Sequence, residues 1–319
     1  MLNLSDIEEA HSRIKHIINK TYVMKSRTLN NDLYNDVYFK CENFQRVGAF
    51  KFRGVSNKLL QLSESEKKKG VVTHSSGNHA QAVALASKIL GIESTIVMPK
   101  NAPRVKVDAT RAYGAKIVFC ENNVDSREST CKELIKKYGY TLIHPYDDYQ
   151  IIAGAGTAAY ELIKEVGTLD YIYCPVGGGG LLSGTSIAAK GLSSDTKVVA
   201  VEPEKADDAY RSFNKKKLYP SNYPNTIADG LRTSLCEKTF EIILKNVDEI
   251  ITVTEEEIIN AMKFLWTRMK IIVEPSGAVS LAGVLKKARQ HKNKKIGVII
   301  SGGNIDLDWF FKKYLLKIK

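Results

Sequence analysis

The chain has 319 residues, of which 44% are apolar and 26% charged, a balance that excludes a disordered or fibrous chain and suits one large α/β unit or two domains. No apolar run approaches the ~20 residues of a membrane span, so no membrane association is expected. The net charge of +12 is dispersed over short lysine clusters (Lys67–Lys69, Lys215–Lys217, Lys294–Lys295, Lys312–Lys313) without interleaved aromatics, and no nucleic-acid partner is expected.

In chain order, Ser5-x-x-Glu8 is a capping box that opens a first helix. Nine short apolar, β-branched runs follow, at 37–40, 71–73, 94–98, 116–119, 140–143, 170–176, 197–201, 249–253 and 296–300. Most are apolar on both faces, as parallel strands covered by helices should be. The segments between them read as helices. Ser63-x-x-Glu66 and Thr254-x-x-Glu257 are further capping boxes, and Pro103 and Gly114 bracket a helix over 103–113. The alternation predicts an α/β fold with parallel sheets, and nine strands suggest two lobes with a cleft between them. The five cysteines are widely spaced and form no Cys-x-x-Cys pair, which argues against a zinc site or disulfide framework. With an N-terminus that lacks a secretion-signal pattern, this points to the cytoplasm.

Five segments carry chemistry. Gly48-Ala49-Phe50-Lys51-Phe52-Arg53-Gly54 places a lysine between two aromatics, where burial would make it a usable nucleophile or base. Thr73-His74-Ser75-Ser76-Gly77-Asn78-His79 is a polar turn between a strand and an Ala-rich helix, suited to a carboxylate or other anion. Gly177-Gly178-Gly179-Gly180 joins an apolar strand to a helix start, where successive backbone N–H groups can converge on a phosphate. Glu202 to Asp208 is an acidic turn whose oxygens could meet Mg²⁺ or Ca²⁺. Ser301-Gly302-Gly303-Asn304 ends a strand in a small neutral turn. There is no P-loop, no Gly-x-Gly-x-x-Gly and no Gly-x-Ser-x-Gly elbow.

In this order, Ala-Phe-Lys-Phe-Arg-Gly, Ser-Ser-Gly-Asn-His-Ala-Gln, Gly-Gly-Gly-Gly-Leu-Leu-Ser-Gly and Ser-Gly-Gly-Asn closely resemble the fold-type II pyridoxal-phosphate enzymes over essentially the whole chain. The pattern is nearest to the eukaryotic-type serine racemases and the short serine/threonine dehydratases. The resemblance implies a tryptophan synthase β-like α/β fold, with a large domain of residues 1–69 and 148–319 and a small domain of 70–147. It implies that Lys51 carries the cofactor covalently and that Gly177, Gly178, Gly179 and Gly180 hold its phosphate. Asn78 would bond the ring hydroxyl oxygen and Ser301 the pyridine nitrogen, and Ser75, Ser76, Gly77, Asn78 and His79 would hold the substrate carboxylate. Ser76 would be the second acid/base that racemisation requires. Glu202, Asp208 and the Ala206 carbonyl match the family's divalent-metal site, for Mg²⁺ or else Ca²⁺ or Mn²⁺.

Gln81, Tyr113, Lys270 and Asn304 match an ATP effector site of the animal racemases, whereas Arg27, Thr28, Arg46 and Val47 do not, so ATP is carried only as a candidate effector. A homodimer is expected by resemblance. Tyr146 replaces an asparagine of the animal racemases, as in the dehydratase and hydroxyaspartate-lyase branches, and Arg127 could reach a second substrate carboxylate. The expected function is therefore a serine racemase that also eliminates water from serine. The rival is a serine/threonine or 3-hydroxyaspartate ammonia-lyase, and the remote alternative a non-catalytic phosphate-ligand binder.

Overall fold

The computed structural model describes residues 2–311 apart from Pro103, Ala288 and Arg289. Pro103, expected to open a helix, and the Lys312–Lys313 cluster lie outside the described residues. Among the described residues ten strands form two sheets. The larger holds β1 (Val23–Met24), β2 (Asp36–Cys41), β7 (Tyr171–Pro175), β8 (Lys197–Pro203), β9 (Glu249–Val253) and β10 (Lys295–Ile300), in the order β1-β2-β10-β7-β8-β9. The smaller holds β3 (Val71–His74), β4 (Ser94–Pro99), β5 (Lys116–Cys120) and β6 (Thr141–Leu142), in the order β5-β4-β3-β6. Every pairing is parallel except β1 with β2, in which Val23 faces Lys40.

The nine anticipated strands are all present, the sixth-numbered one shortened to Thr141–Leu142. The additional strand, β1, is only two residues long and carries no periodicity to read. The capping boxes at Ser63 and Thr254 form as expected. The first helix is a correction: it starts at Leu4, with Asn3 and Asp6 making the box instead of Ser5 and Glu8. Asn3 lies two residues upstream and its carboxamide already accepts from the Ser5 N–H, so Ser5 falls inside the helix.

Helix Tyr149–Val166 crosses helix Gly180–Leu192 with backbone against backbone, because a Cβ on Gly184 would lie 2.4 Å from the Ile152 carbonyl oxygen. Beneath the Lys51–Leu60 helix lies a buried cluster of four charged groups. The Arg53 guanidinium donates to both oxygens of Glu42 (2.7 and 2.9 Å) and both oxygens of Glu161 (2.9 and 2.8 Å). The Lys40 ammonium donates to Glu161 (2.7 Å) and to the Thr21 carbonyl (2.9 Å), and the Thr21 hydroxyl to Glu42 (2.6 Å). Burial alone would raise the Glu161 pKa, but hydrogen bonds from His11 and Arg53 and the charges of Arg53 and Lys40 outweigh it and hold Glu161 well below the usual carboxylate range.

Removing one partner of such a cluster leaves an uncompensated buried charge. Arg53→Met is therefore expected to lose about 3–5 kcal/mol in urea unfolding. A loss under about 1 kcal/mol would show that the two carboxylates find other partners.

Candidate active site

The glycine tetrad leaves β7 and enters the Gly180–Leu192 helix. Gly179 takes φ +87°, a left-handed conformation that side chains disfavour, and this turns the chain into the helix. The first helical bond of that turn runs from the Ser183 N–H to the Gly179 carbonyl at 2.8 Å. The N–H groups of the preceding helical residues thus have no acceptor within the helix, and they stand at its positive end. The tetrad's outer face meets Tyr146, whose ring lies 2.4 Å from where a Gly178 Cβ would be. These residues line one cavity with Phe50, Lys51, Thr233 and Ser301.

Lys51 is the first residue of its helix, and its ammonium donates to the Pro145 carbonyl at 2.8 Å. The Phe50 ring centroid lies 5.2 Å from Nζ. Among the described residues no carboxylate pairs with Lys51, and burial lowers its pKa from 10.5 to about 8. Its backbone is tied to the Ser301 turn, since the Phe50 N–H donates to the Ser301 carbonyl at 3.0 Å. That tie brings the ends of two segments 250 residues apart into the same cavity.

The Ser75–Gly77 turn runs from β3 into helix Asn78–Ile89, with the Gly77 N–H donating to the Ser75 hydroxyl at 3.3 Å. The Asn78 amide donates to Glu274 at 2.7 Å and accepts from Asn304 at 2.9 Å. His79 is buried, its Nε2 paired with the Ile143 carbonyl at 2.9 Å, and burial first, with the nearby Lys51 charge, holds its pKa well below 6.5. The imidazole thus braces the small sheet. His144 accepts the Tyr146 and Asp147 N–H groups on Nδ1 (3.3 and 2.8 Å), and burial lowers its pKa to about 4. This neutral ring shapes the loop that carries the Pro145 carbonyl and Tyr146.

Away from this cavity, Glu202 and Asp208 are fully buried together. Glu202 accepts the Ala209 and Tyr210 N–H groups (3.0 and 2.8 Å), while neither Asp208 oxygen has a well-formed hydrogen bond. Burial, then mutual repulsion, raises Glu202 well above 4.5, and burial raises Asp208 to about 6. Two buried acids, Asp208 with both oxygens unpaired among the described residues, are a donor set that a hard divalent cation would satisfy, with the Ala206 carbonyl in the intervening turn. Among the described residues no group of three His, Cys, Asp or Glu side chains forms a metal site, so the set depends on that backbone oxygen.

The structure gathers Lys51, the tetrad and Ser301 around one cavity, and links Asn78 to the Ser301–Asn304 turn through Asn304. Sequence reading missed Glu274 and the Tyr146 packing on the tetrad. An acid between the apolar run Ile271–Val273 and Pro275 was the available signal for Glu274. The chemistry fits pyridoxal phosphate: a glycine cradle for a phosphate, a lysine with no carboxylate partner among the described residues for an aldehyde, an amide and a neutral hydroxyl for the ring.

The lowered Lys51 pKa has a sign that can be checked. Only the free amine attacks an aldehyde, so the rate of pyridoxal-phosphate capture should rise about tenfold per pH unit below about 8 and level off above it. An ordinary lysine would keep rising past pH ~10. Stopped-flow absorbance of the visible band, with Lys51→Ala as blank, measures this; a rate still climbing at pH ~10 would contradict the burial argument.

Comparison with known proteins points to the same cofactor. Residues 14–302 match the family described as pyridoxal-phosphate dependent enzyme. A serine racemase of Dictyostelium discoideum is 51% identical over 310 residues, covering 96% of this chain and 96% of its own. An L-threo-3-hydroxyaspartate ammonia-lyase of Saccharomyces cerevisiae is 49% identical over 303 residues, covering 95% of this chain and 93% of its own. The crystal structure of serine racemase from Dictyostelium discoideum superposes with a TM-score of 0.92 at 50% identity, covering 96% of this chain and 99% of that one. The matched span runs from the first helix to the Ser301 turn and includes every residue placed around the cavity: the chain belongs to the pyridoxal-phosphate-dependent enzymes of fold-type II.

Proposed function

We propose that this chain is a serine racemase that interconverts L- and D-serine and also eliminates water from serine, giving pyruvate and ammonia. The observation that carries the reading is Lys51, an amine without a carboxylate partner and with its pKa lowered to about 8, lining one cavity with the glycine tetrad and Ser301. The likeness to a serine racemase along nearly the whole chain supports it.

When bound, pyridoxal phosphate supplies an electron sink that makes the Cα–H of an amino acid acidic. The chain supplies the rest. Gly177–Gly180 hold the phosphate at the helix N-terminus. Lys51 would anchor the cofactor through its aldehyde carbon and, once the substrate's amino group has replaced it there, would take the α-proton as a free amine. Asn78 holds the ring oxygen. Ser301, a neutral hydroxyl, holds the pyridine nitrogen without needing it protonated. The Ser75–His79 loop receives the substrate carboxylate, and Ser76 is the second acid/base that inverting the α-carbon requires.

Three further parts belong to the same proposal. Mg²⁺, with Ca²⁺ or Mn²⁺ as substitutes, is held by Glu202, Asp208 and the Ala206 carbonyl, and braces the lobe that carries the tetrad. Residues 70–147 act as the small domain, and the enzyme works as a cytoplasmic homodimer. No helix among the described residues is long and apolar enough to cross a membrane. ATP stays a candidate effector through Gln81, Tyr113, Lys270 and Asn304.

One observation favours a second reading, a 3-hydroxyaspartate ammonia-lyase. Burial first, and to a lesser extent the Arg127 charge, lower the His74 pKa, which places Arg127 near the end of β3, and its Nε is buried without a partner among the described residues, available to a second carboxylate. The likeness to a hydroxyaspartate ammonia-lyase points the same way.

Incubation with L-serine decides between the readings: D-serine and pyruvate should both appear. Pyruvate without D-serine at any time rejects the racemase, and faster turnover of 3-hydroxyaspartate would favour the second reading. Ser76→Ala should lower racemisation at least about tenfold more than L-serine elimination; equal losses would remove Ser76 from the role of second base. For the metal, Mg²⁺ added to chelator-treated protein should raise the melting temperature of the wild type and leave Asp208→Asn unmoved. A wild type indifferent to Mg²⁺, Ca²⁺ and Mn²⁺ would reject the site.

A further inference from the structure

Glu274 is 4% exposed, in the short segment before helix Pro275–Lys287. Its backbone is pinned on both sides. The Glu274 N–H donates to the Gly302 carbonyl at 3.2 Å, and its carbonyl accepts from Gly277 and Ala278 at 2.9 and 3.2 Å. The carboxyl lies flat on the Ser301–Asn304 turn, with Oε1 2.4 Å from where a Gly302 Cβ would be. A leucine could fill this space without the cost of desolvating an acid. The buried carboxyl therefore needs a polar reason, and its bond to Asn78 supplies one.

The direction of that bond follows from a backbone group. The Val47 carbonyl can only accept, so the amide nitrogen of Asn304 faces it at 2.6 Å. The second Asn304 hydrogen then needs an oxygen, and it finds Asn78 Oδ1 at 2.9 Å. With its oxygen so held, Asn78 turns its nitrogen to Glu274 Oε1 at 2.7 Å. One Asn78 N–H is engaged there and one remains. An acceptor at Glu274 thus completes a relay that fixes which end of the Asn78 amide is presented to a ligand.

We propose that Glu274 is a positioning residue of the cofactor site, orienting Asn78 so that its remaining N–H faces the ring oxygen of bound pyridoxal phosphate. This rests on the cofactor site assigned above. A donor there favours the deprotonated ring oxygen, which absorbs in the visible, over the protonated one, which absorbs in the near ultraviolet. The acceptor role does not need a charge. Burial first, then the Asp229 charge, raises the carboxyl pKa to about 8, against the opposing effects of the Asn78 bond and Lys106. A neutral carboxyl still offers its carbonyl oxygen to Asn78.

The test compares wild type, Glu274→Gln, Glu274→Leu and Asn304→Asp, stripped of cofactor and titrated with pyridoxal phosphate. Affinity, the visible to near-ultraviolet absorbance ratio and the melting temperature are read. Glu274→Gln keeps the acceptor, and should bind within about threefold of wild type with an unchanged ratio. Glu274→Leu should bind about tenfold more weakly and move absorbance to the near ultraviolet. Asn304→Asp, which cannot donate to Asn78, should shift the ratio the same way, and it stands as an independent arm if Glu274→Leu does not fold. The proposal is overturned if Glu274→Leu loses only thermal stability, if Glu274→Gln behaves like Glu274→Leu, or if Asn304→Asp leaves the ratio unmoved. A wild type with no visible band would instead reject the cofactor site itself.

Discussion

The four-charge cluster around Arg53 is the constraint on which the site depends. Arg53 stands two residues beyond Lys51 on the same helix, and its planar fork grips Glu42, just beyond β2, and Glu161 on the long Tyr149–Val166 helix. The end of β2, 11 positions away, and a helix 108 positions away are thereby fixed to the start of one helix. Hydrophobic packing alone is tolerant of small slides, because apolar contacts have no direction. Paired guanidinium–carboxylate forks are directional, and they set the position of that helix. The two positive and two negative groups balance within the cluster, so no net charge is left in the core beneath the reactive amine.

The remaining site parts follow from the parallel sheets. In a parallel α/β layer, strands all point their carboxyl ends at the same edge, and the turns leaving those ends gather there. The tetrad leaves β7, the Ser301 turn leaves β10, and the Ser75–Gly77 turn leaves β3 of the other sheet. Each turn is made of small or polar residues, while the strands behind them are almost wholly buried and apolar. The division is thus between apolar strands that place and polar turns that they carry.

Much of this was legible in the sequence because local chemistry carried it. A glycine run between strand and helix, a lysine between aromatics, and strands buried on both faces are signatures of short range. What was not legible needed contacts between distant segments. Asn78 and Glu274 are 196 positions apart, and nothing beside Glu274 in the chain says which amide it serves. Glu42 and Glu161 read locally as ordinary acids, and only the fold reveals them as partners of Arg53. At the first helix, two overlapping capping patterns competed, and the upstream one prevailed because Asn3 reaches the free N–H groups first.

The close crossing of helices Tyr149–Val166 and Gly180–Leu192 has a mechanical consequence. Where two backbones touch at Gly184 and Gly156, no rotamer lies between them to absorb a displacement. Moving the start of the Gly180–Leu192 helix would require sliding two helices whose contact faces are fully buried. The glycine tetrad at that helix start therefore belongs to the slowest motions of the molecule, those that approach global opening in free energy. The Tyr146 ring packs on Gly178, so the loop that carries it leans on the same seam. A group held where the phosphate is proposed to sit would thus rest on the stiffest part of the cavity wall.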